Sequence, residues 1–142
     1  PALTNRLFYG QSPKRVVLDQ QHRLSENLQI FDGKIPTFVV SQKPNPLLQH
    51  PNIHYFQHPF DTHLLRDLLT YLHQRNIGSL MVEGGRRLLD HFIQQNLWDE
   101  ARVLVGQKEL GAGIMAPKLS GKANEQYKIH GDQLKVYLNN QR

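Results

Sequence analysis

Cysteine is missing altogether from the 142 residues. That one absence excludes disulfide scaffolding, thiolate catalysis and cysteine-based zinc sites, and it fits a reducing compartment. Redox chemistry in this chain therefore needs a cofactor. No apolar run approaches the roughly 18 residues of a membrane span, and the first residues carry no signal-peptide pattern, so a cytoplasmic protein without a membrane anchor is expected. Internal repeats and long low-complexity segments are lacking too. None of Ser12, Ser25, Ser41, Ser79 and Ser120 sits in a nucleophile-elbow setting, which leaves acyl transfer unsupported.

What is present is ordinary for a globular protein: 39% hydrophobic and 20% charged residues. The length suits a single domain with a buried core and no metal or disulfide staple. The net charge of +5 and isoelectric point near 9.6 call for an anionic partner, either nucleic acid or a small phosphorylated ligand. Lysines and arginines are scattered along the chain, without a basic helix face bearing stacking aromatics, and this favours the small ligand. The eight histidines do not make a metal site. His50, His54 and His58 recur every four residues but among prolines, where no helix holds them together, and His63, His73 and His91 fall on helix surfaces.

Strand and helix patterns alternate along the chain. Lys14 to Asp19 reads as a buried β-branched strand ending on an acid, Thr37 to Ser41 as a second, and Asn52 to Gln57 as a short third. Phe31-Asp32-Gly33 marks a turn, and Lys43 to Asn52, with three prolines, a loop. From Asp61, suited to an N-cap, Leu64, Leu68 and Leu72 with Leu65 and Leu69 predict an amphipathic helix ending near Asn76-Ile77-Gly78. Ser79 to Glu83 reads as a strand covered on both faces and closed by Gly84-Gly85. Leu88, Leu89, Phe92 and Ile93 resume helical spacing as far as Asn96. A strand follows from about Glu100 to Val105, then a loop from Gln107 to Lys122. A terminal hairpin pairs Gln126–His130 with Leu134–Leu138 through Gly131-Asp132. The expected class is α/β, a mixed sheet flanked by helices with a C-terminal β-hairpin.

The strand, Gly84-Gly85, helix unit outlines an anion site, since the glycines let backbone approach a ligand that faces a helix N-terminus. Arg86 and Arg87 stand in the first helical turn, where the macrodipole disfavours cations; a bound phosphate would resolve that conflict. Solvated arginines behind a tight turn fit the same spacing. Glu83 either projects at the carboxyl edge of the sheet toward a polar substrate ring or caps the helix that follows. Arg6, in an early extended segment, is suited to grip a phosphate, although a lone arginine is more often an ordinary surface residue.

Pro1-x-Leu3-Thr4-x-Arg6, the strand Val16 to Asp19 with Arg23-Leu24 after it, the stretch Ile77 to Val103 and the loop Gly111-x-Gly113-x-x-Ala116-Pro117 together resemble the reductase domain of the riboflavin-pathway deaminase/reductase family. The most specific parts are Val82-Glu83-Gly84-Gly85 and Leu97-Trp98-Asp99-Glu100-Ala101-Arg102-Val103. The resemblance implies a dihydrofolate-reductase-like fold and NADPH-dependent reduction of the ribosyl group of 5-amino-6-(5-phosphoribosylamino)uracil to a ribityl chain. It implies substrate contacts at Leu3, Arg6 and Glu83, with Arg6 on the phosphate. Cofactor contacts fall at Gln20, Gly85, Arg86, Arg87, Leu88, Leu89, Asp90 and His91, with Arg23 toward the 2′-phosphate. It names no proton donor.

Family members carry a strand and a helix before the Pro-x-Leu-Thr-x-Arg segment, often a fused deaminase domain, and commonly pair as dimers. The expectation is therefore a single reductase domain over residues 1–142, lacking its first strand and helix, that forms a homodimer. Two alternatives stay open: a dihydrofolate-reductase-like enzyme of another substrate, and a basic nucleic-acid-binding module.

Overall fold

A computed structural model describes residues 2–7, 9–45 and 49–140. Pro1 of the first motif and positions 46–48 of the proline-bearing loop lie outside the described residues. The chain forms two compact units, Pro1–Gly78 and Ser79–Arg142.

The first unit is a parallel sheet of β1 (Arg15–Leu18), β2 (Thr37–Ser41) and β3 (Ile53–Gln57), in the order β1-β2-β3. Thr37 lies opposite both Arg15 and Ile53, so the three strands start in step. All five residues of the central β2 are buried, as a parallel strand covered on both faces requires. Alternation sorts the side chains into two cores. Val39 and Ile53 pack with Ile30 and Phe31 on one face, joined by Leu3, Val17 and Tyr55. On the other face the Tyr71 ring lies 6.1 Å from Phe38 and 4.5 Å from Phe56. Tyr71 belongs to α1 (Leu64–His73), which buries Leu64, Leu65, Leu68 and Leu72, the row expected from the leucine spacing.

Asp61 acts one step earlier than expected. Its carboxylate accepts from the His63 amide at 2.9 Å, and among the described residues no side chain caps α1 itself. The helix stops where Asn76 turns left-handed, φ 56°, and the Ile77 amide returns to the Leu72 carbonyl at 3.1 Å.

Arg15 stands out in the first core. Its side chain is 0% exposed, and Nη1 donates to the Gln29 carbonyl at 3.2 Å, the Ile30 carbonyl at 3.1 Å and Asp32 Oδ1 at 2.8 Å. Those three acceptors lie in and just after a 3₁₀ turn at Gln29–Phe31, so one guanidinium staples that turn to β1. Nε and Nη2 are buried without a hydrogen-bond partner among the described residues.

His58, just past β3, is held at both ring nitrogens, by the Pro59 carbonyl at 2.7 Å and Asp67 Oδ2 at 2.9 Å, and stacks on Phe56 at 5.4 Å. The Pro59 carbonyl, and after it Asp67, hold its pKa above the ordinary 6.5 against some desolvation. The charged imidazolium is thus favoured in the folded state. Its contribution is fully present below pH 6.5 and disappears as pH rises through the folded value. His58→Asn should therefore melt below the parent protein near pH 6, with the gap narrowing toward pH 9. A gap independent of pH in thermal melts would refute the assignment.

The second unit begins with α2 (Arg86–Gln94), followed by β4 (Glu100–Val105), β5 (Glu125–Ile129) and β6 (Asp132–Leu138), antiparallel in the order β4-β6-β5. α2 ends as α1 does: Asn96 is left-handed at φ 55° and the Leu97 amide returns to the Phe92 carbonyl at 2.9 Å. Asn139, after β6, donates to Asn96 Oδ1 and the Trp98 carbonyl, both at 2.7 Å, tying the sheet to the link between α2 and β4.

Two expectations change here. The hairpin turns at His130-Gly131, φ 50° and 96°, and Asp132 is already paired with Ile129. Positive φ at both central residues makes the type I′ turn whose twist matches a two-residue hairpin, which shifts the turn by one position. Ser79 to Glu83 is not a strand. It forms no ladder with any described strand, and Met81 is 79% exposed, against the expectation of cover on both faces. Apolar content makes a segment suitable for a sheet; only a hydrogen-bonding neighbour makes it a strand. The α/β class with its C-terminal hairpin stands, with the parallel and antiparallel strands in separate three-stranded sheets.

Candidate functional site

Two places carry the expected site residues, one in each unit. In the second, Gly84 and Gly85 lead into α2, and they are glycines for different reasons. A Cβ on Gly84 would lie 2.5 Å from Leu88 Cδ2 and 3.1 Å from Leu88 Cβ, so Leu88 folds back over Gly84 and packing explains that residue. Gly85 has φ −61° and ψ 166°, open to any residue, and nothing lies within 4 Å of where its Cβ would be. Among the described residues no contact, and at this position no backbone angle, requires glycine.

Among the described residues no side chain caps α2, so Glu83, exposed and outside any strand, does not serve as its cap. The Leu88 and Leu89 amides both return to the Gly85 carbonyl, at 3.0 and 3.3 Å. The amides of Arg86 and Arg87 precede the helix's own hydrogen-bonded ladder and carry the positive end of its dipole. Arg86 resolves its conflict with that dipole internally, through Asp90 at 3.2 Å, an i,i+4 pair on a partly exposed surface. Arg87 and His91 are exposed, while Leu88, Leu89 and Asp90 are half-buried. Arg87 makes no ion pair among the described residues.

In the first unit, the carboxyl edge of the parallel sheet gathers the ends of β1 and β2. Asp19 is 8% exposed and its carboxylate accepts from the Arg23 amide at 2.8 Å and the Leu24 amide at 3.2 Å. Gln20 is exposed, and its carbonyl accepts from the Gln42 amide at 3.3 Å. Arg23 is exposed, with Nη2 on Gln21 Oε1 at 2.7 Å.

Of the expected substrate residues, Leu3 and Arg6 belong to the first unit and Glu83 to the second. Leu3 packs on the core cluster in the left-handed region, φ 48°, a strained setting for a γ-branched side chain. Arg6 is exposed. The Asn5 amide beside it donates to Ser12 Oγ at 3.2 Å, fixing the local path of the segment.

The structure thus brings Gly85, Arg86 and Arg87 together at one helix start and Gln20 with Arg23 at one sheet edge. Sequence reasoning missed the buried Arg15 and the inward turn of Asp19. For Asp19 the signal was available, a strand-ending acid just before a short turn, which is where carboxylates collect backbone amides.

The family model described as the RibD C-terminal domain matches residues 1–139. The chain belongs to that family. The riboflavin biosynthesis protein RibD of Haemophilus influenzae is 33% identical over 102 residues, covering 71% of this chain and 27% of that protein. The 2,5-diamino-6-ribosylamino-4(3H)-pyrimidinone 5′-phosphate reductase of Archaeoglobus fulgidus is 30% identical over 106 residues, 70% of this chain and 48% of its own. A Thermotoga maritima diaminohydroxyphosphoribosylaminopyrimidine deaminase/5-amino-6-(5-phosphoribosylamino)uracil reductase superposes with a TM-score of 0.79 at 23% identity, over 96% of this chain and 40% of that one. That likeness bears on fold alone. The chain spans between about a quarter and a half of the length of these two relatives.

Proposed function

We propose that this chain is an NADPH-dependent reductase domain that converts the ribosyl group of 5-amino-6-(5-phosphoribosylamino)uracil to the ribityl product. The observation that carries the reading is Gly85: an unneeded glycine at an uncapped helix start, inside a match to the RibD C-terminal domain over residues 1–139. Space for backbone approach, open amides and the positive end of a helix dipole suit the pyrophosphate of a dinucleotide. When bound, NADPH supplies the hydride.

The chain's own residues do the rest by placement. The Arg86 and Arg87 amides, with the Arg87 guanidinium, hold the pyrophosphate, and the turn from Gly85 to His91 sets its depth. Gln20 and Arg23 take the adenosine end at the carboxyl edge of the parallel sheet, where open α/β sheets receive ligands. Arg6 grips the substrate phosphate in a fork geometry that lysine lacks. Leu3 lies against the substrate, and Glu83, freed from capping, orients the pyrimidine through its polar edge. Such positioning is most of what a hydride transfer asks of a protein, because the two carbons must be held about 3 to 3.5 Å apart. The same proposal takes both units as one reductase domain that pairs as a cytoplasmic homodimer.

The full protein should be stabilised by NADPH in thermal melts, by about 2.7 kcal/mol at a hundredfold excess over Kd. Arg6→Ala should raise KM for the phosphorylated substrate and spare its dephosphorylated analogue. Equal losses on both would remove Arg6 from the phosphate. No stabilisation by NADPH, with steeply salt-dependent binding to DNA or RNA instead, would overturn the reading as a whole.

A further inference from the structure

Past the ends of β1 and β2 the chain forms two loops, residues 19–24 and 42–45, and they are tied together. The Gln42 amide reaches the Gln20 carbonyl, and His22 Nε2 donates to the Lys43 carbonyl. Ser41 Oγ donates to the same carbonyl at 2.6 Å, which fills both of its lone pairs. Farther along, the Asn45 carboxamide donates to Glu26 at 2.9 Å, and the Asn45 backbone amide to the Tyr55 hydroxyl. Lys43 therefore sits in a loop pinned from β2, from β3 and from the loop after β1, while its own side chain is exposed.

His22 holds an unusual backbone. Its φ of 53° is left-handed, a conformation glycine adopts freely and L side chains adopt at a cost. The imidazole carried there at that cost is engaged. The ring spans the gap to the Lys43 carbonyl and meets Tyr55 edge-on at 6.2 Å.

The carboxylates at this edge are engaged within the chain. A carboxylate at a strand end grips the ribose hydroxyls of a dinucleotide and repels a 2′-phosphate, whereas an arginine there accepts the phosphate. Asp19 is turned inward and its oxygens are taken up by the Arg23 and Leu24 amides. That arrangement withdraws the negative charge and fixes the backbone of Arg23 in one step. The charged groups left facing solvent are Arg23, Lys43 and Glu26, and the Glu26 carboxylate is taken up by the Asn45 carboxamide.

We infer that His22 is a positioning residue: it latches the two loops so that Arg23 and Lys43 jointly receive the 2′-phosphate, making this edge the determinant of NADPH over NADH. The inference rests on the reductase reading above and adds the residues that choose between the two cofactors.

The test titrates the full protein with NADPH and with NADH, reading nucleotide fluorescence and the thermal midpoint. His22→Gly suits the backbone and should leave the midpoint near that of the parent. It should raise Kd for NADPH about tenfold, the worth of a charge-assisted contact, and leave Kd for NADH within about twofold. His22→Gln, whose carboxamide N–H can donate to the same carbonyl, should restore most of the NADPH affinity. Lys43→Met, with the latch intact, should reproduce the selective loss. Equal changes for both nucleotides, or none, would overturn the latch. Parent protein that binds both nucleotides equally would overturn it while leaving the reductase reading in place, and parent protein that binds neither would overturn both.

Discussion

Arg15→Ala is expected to lower the stability of the first unit by about 2 to 5 kcal/mol, the range for truncating a large core side chain, here one that also strands buried acceptors. The loss has two sources. The Gln29 and Ile30 carbonyls and Asp32 Oδ1 lose a shared donor, and the guanidinium leaves a void in a core where its side chain is 0% exposed. Against a total of about 5 to 15 kcal/mol for a typical domain, that is a large share. Arg15→Met is the informative partner: it fills similar space and removes the unpartnered Nε and Nη2, so its cost should be smaller, about 1 to 2 kcal/mol.

Asp32 gives a second readout. Its carboxyl is held below the usual 3.8 by the Arg15 hydrogen bond first and the Lys34 amide second. A depressed carboxylate stabilises the fold above its unfolded pKa and loses that effect as pH falls through the folded one. Urea midpoints of the parent protein should thus drop below about pH 4 more steeply than those of Arg15→Met. An alanine variant within about 0.5 kcal/mol of the parent protein, the usual range for a surface change, would show that the staple holds nothing.

Arg15 also shows where a sequence stops being legible. Lys14 to Asp19 is readable as a buried strand from its β-branched centre, but the partner that makes a buried charge tolerable lies 17 residues away in a turn. Local patterns were sufficient wherever the governing interaction is local. The leucine rows of α1, the glycine-led start of α2 and the asparagines ending both helices each depend on neighbours within about one helical turn. Ser79 to Glu83 failed for the opposite reason, since its apolar run is local and its missing ladder is not. The hairpin slipped by one residue because His130 accepts a positive φ that reasoning from composition assigns to glycine. At the site the motifs brought Gly85 and the arginines forward. They could not reveal that Arg86 is engaged by Asp90 and Arg87 is not, nor that His22 spans two loops, because both depend on side-chain placement.

Gly85→Ser should separate fold from function by moving them in opposite directions. Serine is a better N-cap than alanine and at least equal to glycine, and φ −61° with ψ 166° already suits it. Nothing lies within 4 Å of its Cβ position to resist the new side chain. Stability should hold or rise by up to about 0.5 kcal/mol, as the hydroxyl accepts from an amide of the first turn that now has no cap. Dinucleotide affinity should fall by about tenfold to a hundredfold, because the same hydroxyl and its Cβ occupy the space and the amides a pyrophosphate would use, and one or two charge-assisted hydrogen bonds are worth about that much. Calorimetric titration with NADPH beside a thermal melt reads both quantities on one sample. Affinity retained within about twofold would mean that the ligand does not approach the backbone at Gly85, and the pyrophosphate would have to be placed elsewhere on the chain. A fall in both quantities would point instead to a packing role for Gly85 that its open surroundings contradict.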